Sequence, residues 1–107
     1  MSGAAAMRAT LTEALGPGAV ATASEAAGCC RDWTGQYAWT PLCVARPADT
    51  AEVAAVLRAA RAAGVPVVPV SGNTGLAGGT RAEGAVMLSL DRMNRVREIR
   101  PEARIAK

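Results

Sequence analysis

Apolar residues recur along the chain with two different periods, and the changes of period divide it into elements. Met7, Leu11 and Leu15 repeat at helical spacing, which predicts a helix over residues 4–15. Gly16-Pro17-Gly18 stops it, because glycine takes up the helix end and proline does not continue it. Residues 19–40 follow no regular period and contain all the aromatics, Trp33, Tyr37 and Trp39. Leu42-Cys43-Val44-Ala45 reads as a short extended run that ends at Arg46-Pro47, since the residue before a proline is driven out of the helical region.

The segment after it carries the clearest signals. Asp49 suits a helix N-cap, and Glu52 stands three residues later at the spacing of a capping box. Val53, Val56, Leu57 and Ala60 then form one apolar stripe, with Arg58 and Arg61 pointing away from it. Gly64 fits the left-handed position just past the helix end. Val65-Pro66-Val67-Val68-Pro69-Val70 is a buried strand by its β-branched content, and its two prolines place it at an edge or a strand end. Strand, helix and strand in this order make a βαβ unit, which implies a parallel pair. Ala85–Leu90 reads as a further strand, Asp91–Asn94 as a turn, and Arg95–Arg100 as a half-exposed strand alternating polar and apolar residues. No repeat or linker interrupts the order.

Composition narrows the picture. The chain has 107 residues, of which 25 are Ala, with no Phe and 3% aromatic residues overall. A core must therefore come from Val, Leu, Ile, Met and Ala, which is thin for a domain of this size standing alone. No stretch is long and apolar enough for a spanning helix, and the N-terminus lacks the pattern of a secretory signal. The net charge of +3 is a tail effect. Residues 1–90 are neutral, and the excess lies in Arg92, Arg95, Arg97, Arg100, Arg104 and Lys107. A neutral body argues against a nucleic-acid module, so no nucleic-acid partner and no membrane span are expected. The three cysteines, Cys29, Cys30 and Cys43, form no CxxC pair and read as reduced structural thiols of a cytoplasmic protein. With no His in the chain, His-based acid/base chemistry and His metal ligation are excluded here, and no metal site is expected.

Candidate chemistry gathers in one loop, Ser71-Gly72-Asn73-Thr74-Gly75-Leu76-Ala77-Gly78-Gly79-Thr80. Its glycines permit positive φ and close backbone approach. Consecutive backbone N–H groups in such a loop form a concave anion site, and Ser71, Asn73, Thr74 and Thr80 add neutral donors. A phosphate or pyrophosphate suits that environment. GxGxxG fails at Thr74 and Ala77, and the P-loop pattern fails for want of a Lys. Glycine content alone leaves an ordinary Gly-rich turn equally open. Asp49 and Glu52 are assigned to capping and not to acid/base work, and the three aromatics to packing.

The run Val70–Gly79 resembles the pyrophosphate loop of the FAD-linked oxidases of the vanillyl-alcohol oxidase/p-cresol methylhydroxylase family. Asp32-Trp33-Thr34-Gly35-Gln36-Tyr37 is similar to a motif of its D-2-hydroxyacid dehydrogenase branch. Val44-Ala45-Arg46-Pro47 with the helix Thr50–Gly64 resembles the family's first βαβ unit, and Leu88–Arg95 the strand and turn after the loop. The resemblance covers residues 11–107. It implies an α+β fold: the first lobe of a p-cresol methylhydroxylase type FAD-binding domain over residues 41–107, incomplete, with residues 1–40 supplying an N-terminal helix and the Asp32–Tyr37 segment.

The resemblance also implies a function. The chain would be the FAD-binding part of an oxidoreductase that passes a hydride from a D-2-hydroxy acid, such as D-2-hydroxyglutarate or D-lactate, to the flavin, and electrons would leave to a separate acceptor. A glycolate oxidase flavoprotein subunit and a catalytically silent FAD- or nucleotide-binding fragment are the alternatives. Pro47, Ser71, Gly72, Asn73, Thr74, Gly75, Leu76, Gly78, Gly79, Ser89 and Asn94 are the implied cofactor-binding residues. Catalytic groups and metal ligands are expected outside this chain, in the remainder of a longer polypeptide or in an oligomer. Relatives usually carry Gly where Ser71 stands, so a positive φ there would strain the backbone by roughly 1 kcal/mol. Some family members attach FAD through His; without one, FAD is expected to be held non-covalently.

Overall fold

The computed structural model describes residues 3–75 and 78–107. Two helices pack on one face of a four-stranded sheet, and an irregular layer covers the other. Helix α1 spans Gly3–Leu15 and buries Met7 and Leu11. A single 3₁₀ turn, Pro17–Ala19, leads into the two-residue strand β1, Val20–Ala21. Strand β2 is Cys43–Ala45, helix α2 is Thr50–Ala63, β3 is Val67–Val70 and β4 is Val86–Ser89. The sheet order is β1-β2-β4-β3. Strands β2 and β3 both run parallel to β4, and β1 joins antiparallel to β2.

The βαβ unit is therefore present, but its two strands do not touch. Strand β4 slots between them, pairing Val44 and Val68 with opposite sides of Met87. Central placement explains why all four β4 residues are buried. It also leaves β3 at an edge, where Pro69, exposed, removes no needed donor.

The capping signals of α2 are realised, except that Glu52 reaches back to the N–H of Ala48, one residue before the N-cap. The Asp49 carboxylate accepts from the Glu52 N–H at 2.9 Å, and the Glu52 carboxylate accepts from the Ala48 N–H at 3.3 Å. Gly64 closes the helix in the left-handed region at φ 68°, its N–H donating to Ala60 and Arg61 carbonyls. The expected stripe needs one correction. Val56 and Ala60 are buried and Val53 partly so, but Leu57 is 48% exposed, because it lies beyond the arc of the helix that faces the sheet.

Strand alternation splits the core into two clusters. Cys43, Ala45, Val86 and Leu88 face the helices and join Met7, Leu11 and Val56. Val44, Met87 and Val70 face the other way, against Trp39, Ala82 and Ala85. The second face is covered by residues 21–40: Ala21, Ala26, Cys29 and Cys30 pack there. Trp39 Nε1 is buried there without a hydrogen-bond partner among the described residues. The tail departs from the expected strand over 95–100. Only Ile99–Arg100 (β5) is extended, and it pairs antiparallel with Ile105–Ala106 (β6) in a separate two-stranded sheet. Ile99 and Ile105 stay exposed, since among the described residues no layer covers this ribbon.

Candidate functional site

Because β2, β3 and β4 are parallel, their carboxyl ends open on one edge of the sheet, the side on which open parallel sheets bind ligands. Pro47 follows β2 and is fully buried. The loop from Ser71 follows β3. Ser89 ends β4, is 3% exposed, and accepts from the Asp91 N–H at 3.4 Å. The fold thus brings Pro47, Ser71 and Ser89, far apart in sequence, to one rim. Arg46 and Asp91 lock that rim with a bidentate pair, Nε–Oδ1 at 3.2 Å and Nη2–Oδ2 at 3.0 Å. The Arg46 guanidinium holds the Asp91 carboxyl below the usual carboxylate range. Asn94 stands apart, exposed in a neighbouring cleft of about 670 Å³ that Asp49, Thr50, Arg92 and Arg95 also line.

Within the loop, Ser71, Gly72, Thr74, Gly75 and Gly79 are exposed and Asn73 and Gly78 partly so. Leu76, with Ala77, lies outside the described residues. Among the described residues, the backbone N–H groups of Gly72, Asn73, Thr74 and Gly75 donate to no protein acceptor, and the loop carries no acidic side chain. That is the donor set an anion requires.

Ser71 has no positive φ and so no such strain: among the described residues of this loop, positive φ falls on Asn73 at 54° and on Gly78 at 74°. Asn is among the residues that tolerate the left-handed region best, and its side chain is anchored as well. Asn73 Nδ2 donates to the Arg31 carbonyl at 2.7 Å, and Asn73 Oδ1 accepts from Thr80 Oγ1 at 2.8 Å. The Tyr37 ring lies over Gly78, where an added Cβ would stand 3.7 Å from ring carbons.

Residues 31–38 therefore form part of the site's surroundings. Arg31 bridges Ala38, and Asp32 N–H donates to the Tyr37 carbonyl at 3.0 Å, closing a tight turn. The Asp32 carboxylate, buried inside it, accepts from Thr34 Oγ1 at 2.7 Å and from Tyr37 N–H at 3.3 Å. The Thr34 hydroxyl, with the turn's N–H groups, holds the Asp32 carboxyl below its ordinary value. The aromatics divide accordingly. Trp39 packs in the core as expected, whereas Trp33 is 73% exposed. Sequence reasoning passed over Arg31 and Tyr37 as site residues. The signal for Tyr37 was the Asp32–Tyr37 motif, with Arg31 standing just before it, and the contact of this segment with the loop spans some forty residues of chain.

Residues 41–107 match the sequence profile described as FAD binding domain. The chain belongs to this FAD binding domain family, and FAD is its cofactor. Over 66 residues it is 48% identical to the D-2-hydroxyglutarate dehydrogenase of Xanthomonas citri pv. viticola, an alignment covering 61% of this chain and 14% of that protein. Among solved structures it resembles the 4-ethylphenol oxidase of Gulosibacter chungangensis in its isoeugenol complex, with TM-score 0.75, 27% identity, and coverage of 92% of this chain and 20% of the other. It matches p-cresol methylhydroxylase with TM-score 0.75 and 19% identity, over 95% of this chain and 21% of that one. The fold is thus the p-cresol methylhydroxylase type, and the chain spans about a fifth or less of these relatives.

The loop fits the cofactor. Its glycines leave room beside the backbone, since a Cβ at Gly75 or Gly79 would meet nothing within 4 Å among the described residues. Its unpaired N–H groups suit a pyrophosphate. Among the described residues, no helix is long and apolar enough to cross a membrane.

Proposed function

We propose that this chain is the FAD-binding part of a flavin-dependent dehydrogenase that oxidises a D-2-hydroxy acid of the D-2-hydroxyglutarate or D-lactate kind. The observation that carries the reading is the 48% identity to a D-2-hydroxyglutarate dehydrogenase. The exposed glycine loop at the carboxyl end of the parallel strands supports it. When bound, FAD would supply the redox chemistry for oxidising the substrate.

This chain's part is binding and orientation. The backbone N–H groups of residues 72–75 receive the pyrophosphate, with the Ser71 and Thr74 hydroxyls as further donors. Gly75 and Gly79 let the backbone run close to the cofactor, whereas the space beside Gly78 is taken by the Tyr37 ring. Pro47 and Ser89 wall the rim, and Asn94 offers an amide from the adjoining cleft. Asn73 contributes its backbone N–H, its side chain being engaged by Arg31 and Thr80. No His is present in the chain, so FAD is held without a histidyl bond from these residues. A 2-hydroxy acid, a separate electron acceptor and further polypeptide complete the machine, in the cytoplasm.

The test is spectroscopic. The purified full protein should be yellow, release its flavin on acid precipitation, and bleach anaerobically with D-2-hydroxyglutarate or D-lactate but not with their L-enantiomers. Gly75→Asp should lose the flavin. The space at this position is open, so the loss would report charge repulsion against the pyrophosphate and not a clash. A colourless native protein, or bleaching only by an unrelated alcohol or phenol, would sink the reading.

A further inference from the structure

We propose that the turn formed by residues 31–38 is the positioning element of the glycine loop, with Tyr37 and Asn73 as its two points of attachment. The proposal deepens the reading above and rests on it for the identity of the ligand.

Glycine-rich loops carry a large entropy cost on ordering, because glycine has the widest conformational freedom to lose. A loop that must present several N–H groups to one anion needs something outside itself to hold its shape. Strand β3 holds only the entrance, through its pairing up to Val70 and Ser89. The 31–38 turn holds the loop at two places, and one bond within the loop ties them together. The Arg31 carbonyl takes Asn73 Nδ2 at the loop's first bend. Asn73 in turn takes the Thr80 hydroxyl, tying the first bend to the loop's far end. The Tyr37 ring covers Gly78, the second residue with positive φ.

Among the described residues of the loop, the two with left-handed backbone thus each carry a contact to, or a hydrogen bond with, the same turn. The turn is itself rigid by construction: its buried Asp32 carboxylate accepts from Thr34 and Tyr37, and Trp39 N–H donates to the Cys30 carbonyl at 2.9 Å behind it. Tyr37 thereby contributes its ring, and Asn73 its amide, to shaping the anion site without being required to touch the anion through those groups.

The experiment measures backbone 15N order parameters over residues 72–80 in the full chain without cofactor, together with FAD affinity by flavin fluorescence. Tyr37→Ala removes the ring. Tyr37→Phe keeps it. Asn73→Gly removes both amide bonds while keeping the left-handed backbone accessible. Order parameters across the loop should fall from about 0.85 to below about 0.6 in Tyr37→Ala and Asn73→Gly. They should stay native in Tyr37→Phe, and in α2 and β4 of every variant. FAD affinity should fall about tenfold in the first two variants, the factor for roughly one hydrogen bond's worth of preorganisation, and recover in Tyr37→Phe. Native order parameters in both Tyr37→Ala and Asn73→Gly overturn the proposal, as does Tyr37→Phe behaving like Tyr37→Ala. If the loop loosens as expected but the native protein never takes up FAD, the positioning role stands and the cofactor reading fails.

Discussion

Asn73 shows how much one side chain in a glycine loop can decide. A positive φ at Ser71, where relatives carry Gly, would strain the backbone. The chain instead passes Ser71 without a positive φ and turns at Asn73, a residue whose amide secures the turn through Arg31 and Thr80. Residue types compatible with the loop were legible; which of them bears the left-handed backbone was not, because φ depends on where the loop must return. Asp32 is the second residue of consequence. Its carboxyl is held below its ordinary value in the fold, so its contribution is fully present above the unfolded carboxylate value and is lost as pH falls through the lower, folded one. Acid titration of stability should therefore steepen below about pH 4, and Asp32→Asn should flatten that limb, as followed by urea denaturation at each pH. A flat native profile there would contradict the assignment. Cys43 is the converse case. Burial pushes its thiol up to about 11, which leaves it protonated and inert, as expected of a structural cysteine.

At the scale of elements, agreement was best where local chemistry is self-sufficient. Helix α2 runs over Thr50–Ala63 because its start and stop are written as capping residues that act within four positions. Asp49→Ala should cost about 1 kcal/mol, read as a lowered urea midpoint with unchanged slope. Helix α1 depends on packing instead: it has no basic residue in its last turn and no acidic one in its first, and Leu11 is completely buried. Leu11→Ala should cost about 2–5 kcal/mol, enough to unfold so thin a core at moderate temperature, which thermal circular dichroism would detect. Short strands were the least legible. β1, β5 and β6 have two residues each, too few for a period of two to register. Leu57 belongs to the core stripe by its spacing, yet it is 48% exposed.

For the whole molecule, the radius of gyration is 14.7 Å, against about 13 Å for a compact domain of this length. The tail accounts for part of this extension, since nearly every residue after Leu90 is exposed. Cofactor and fold are coupled at this scale. A ligand that binds only the folded state stabilises it, by about 2.7 kcal/mol at a free concentration one hundred times Kd. Stripping FAD from the full protein should accordingly lower the Tm, and adding FAD back should restore it, with Gly75→Asp indifferent to added FAD. Equal melting of the two forms would mean that the loop does not hold the cofactor in the folded state.

Taken by itself, the sequence determined the helices, the order of strand and helix around the glycine loop, the donor-rich and acid-free character of that loop, and the absence of histidine chemistry. Each of these is a property of residue type or of spacing within a few positions. Tertiary structure alone decided that β4 enters between β2 and β3, that Pro47, Ser71 and Ser89 share one rim, and that the 31–38 turn reaches the loop across the sheet face. These depend on contacts between residues twenty to forty positions apart, which are selected by how two faces of one small sheet are covered, and no local pattern encodes that choice.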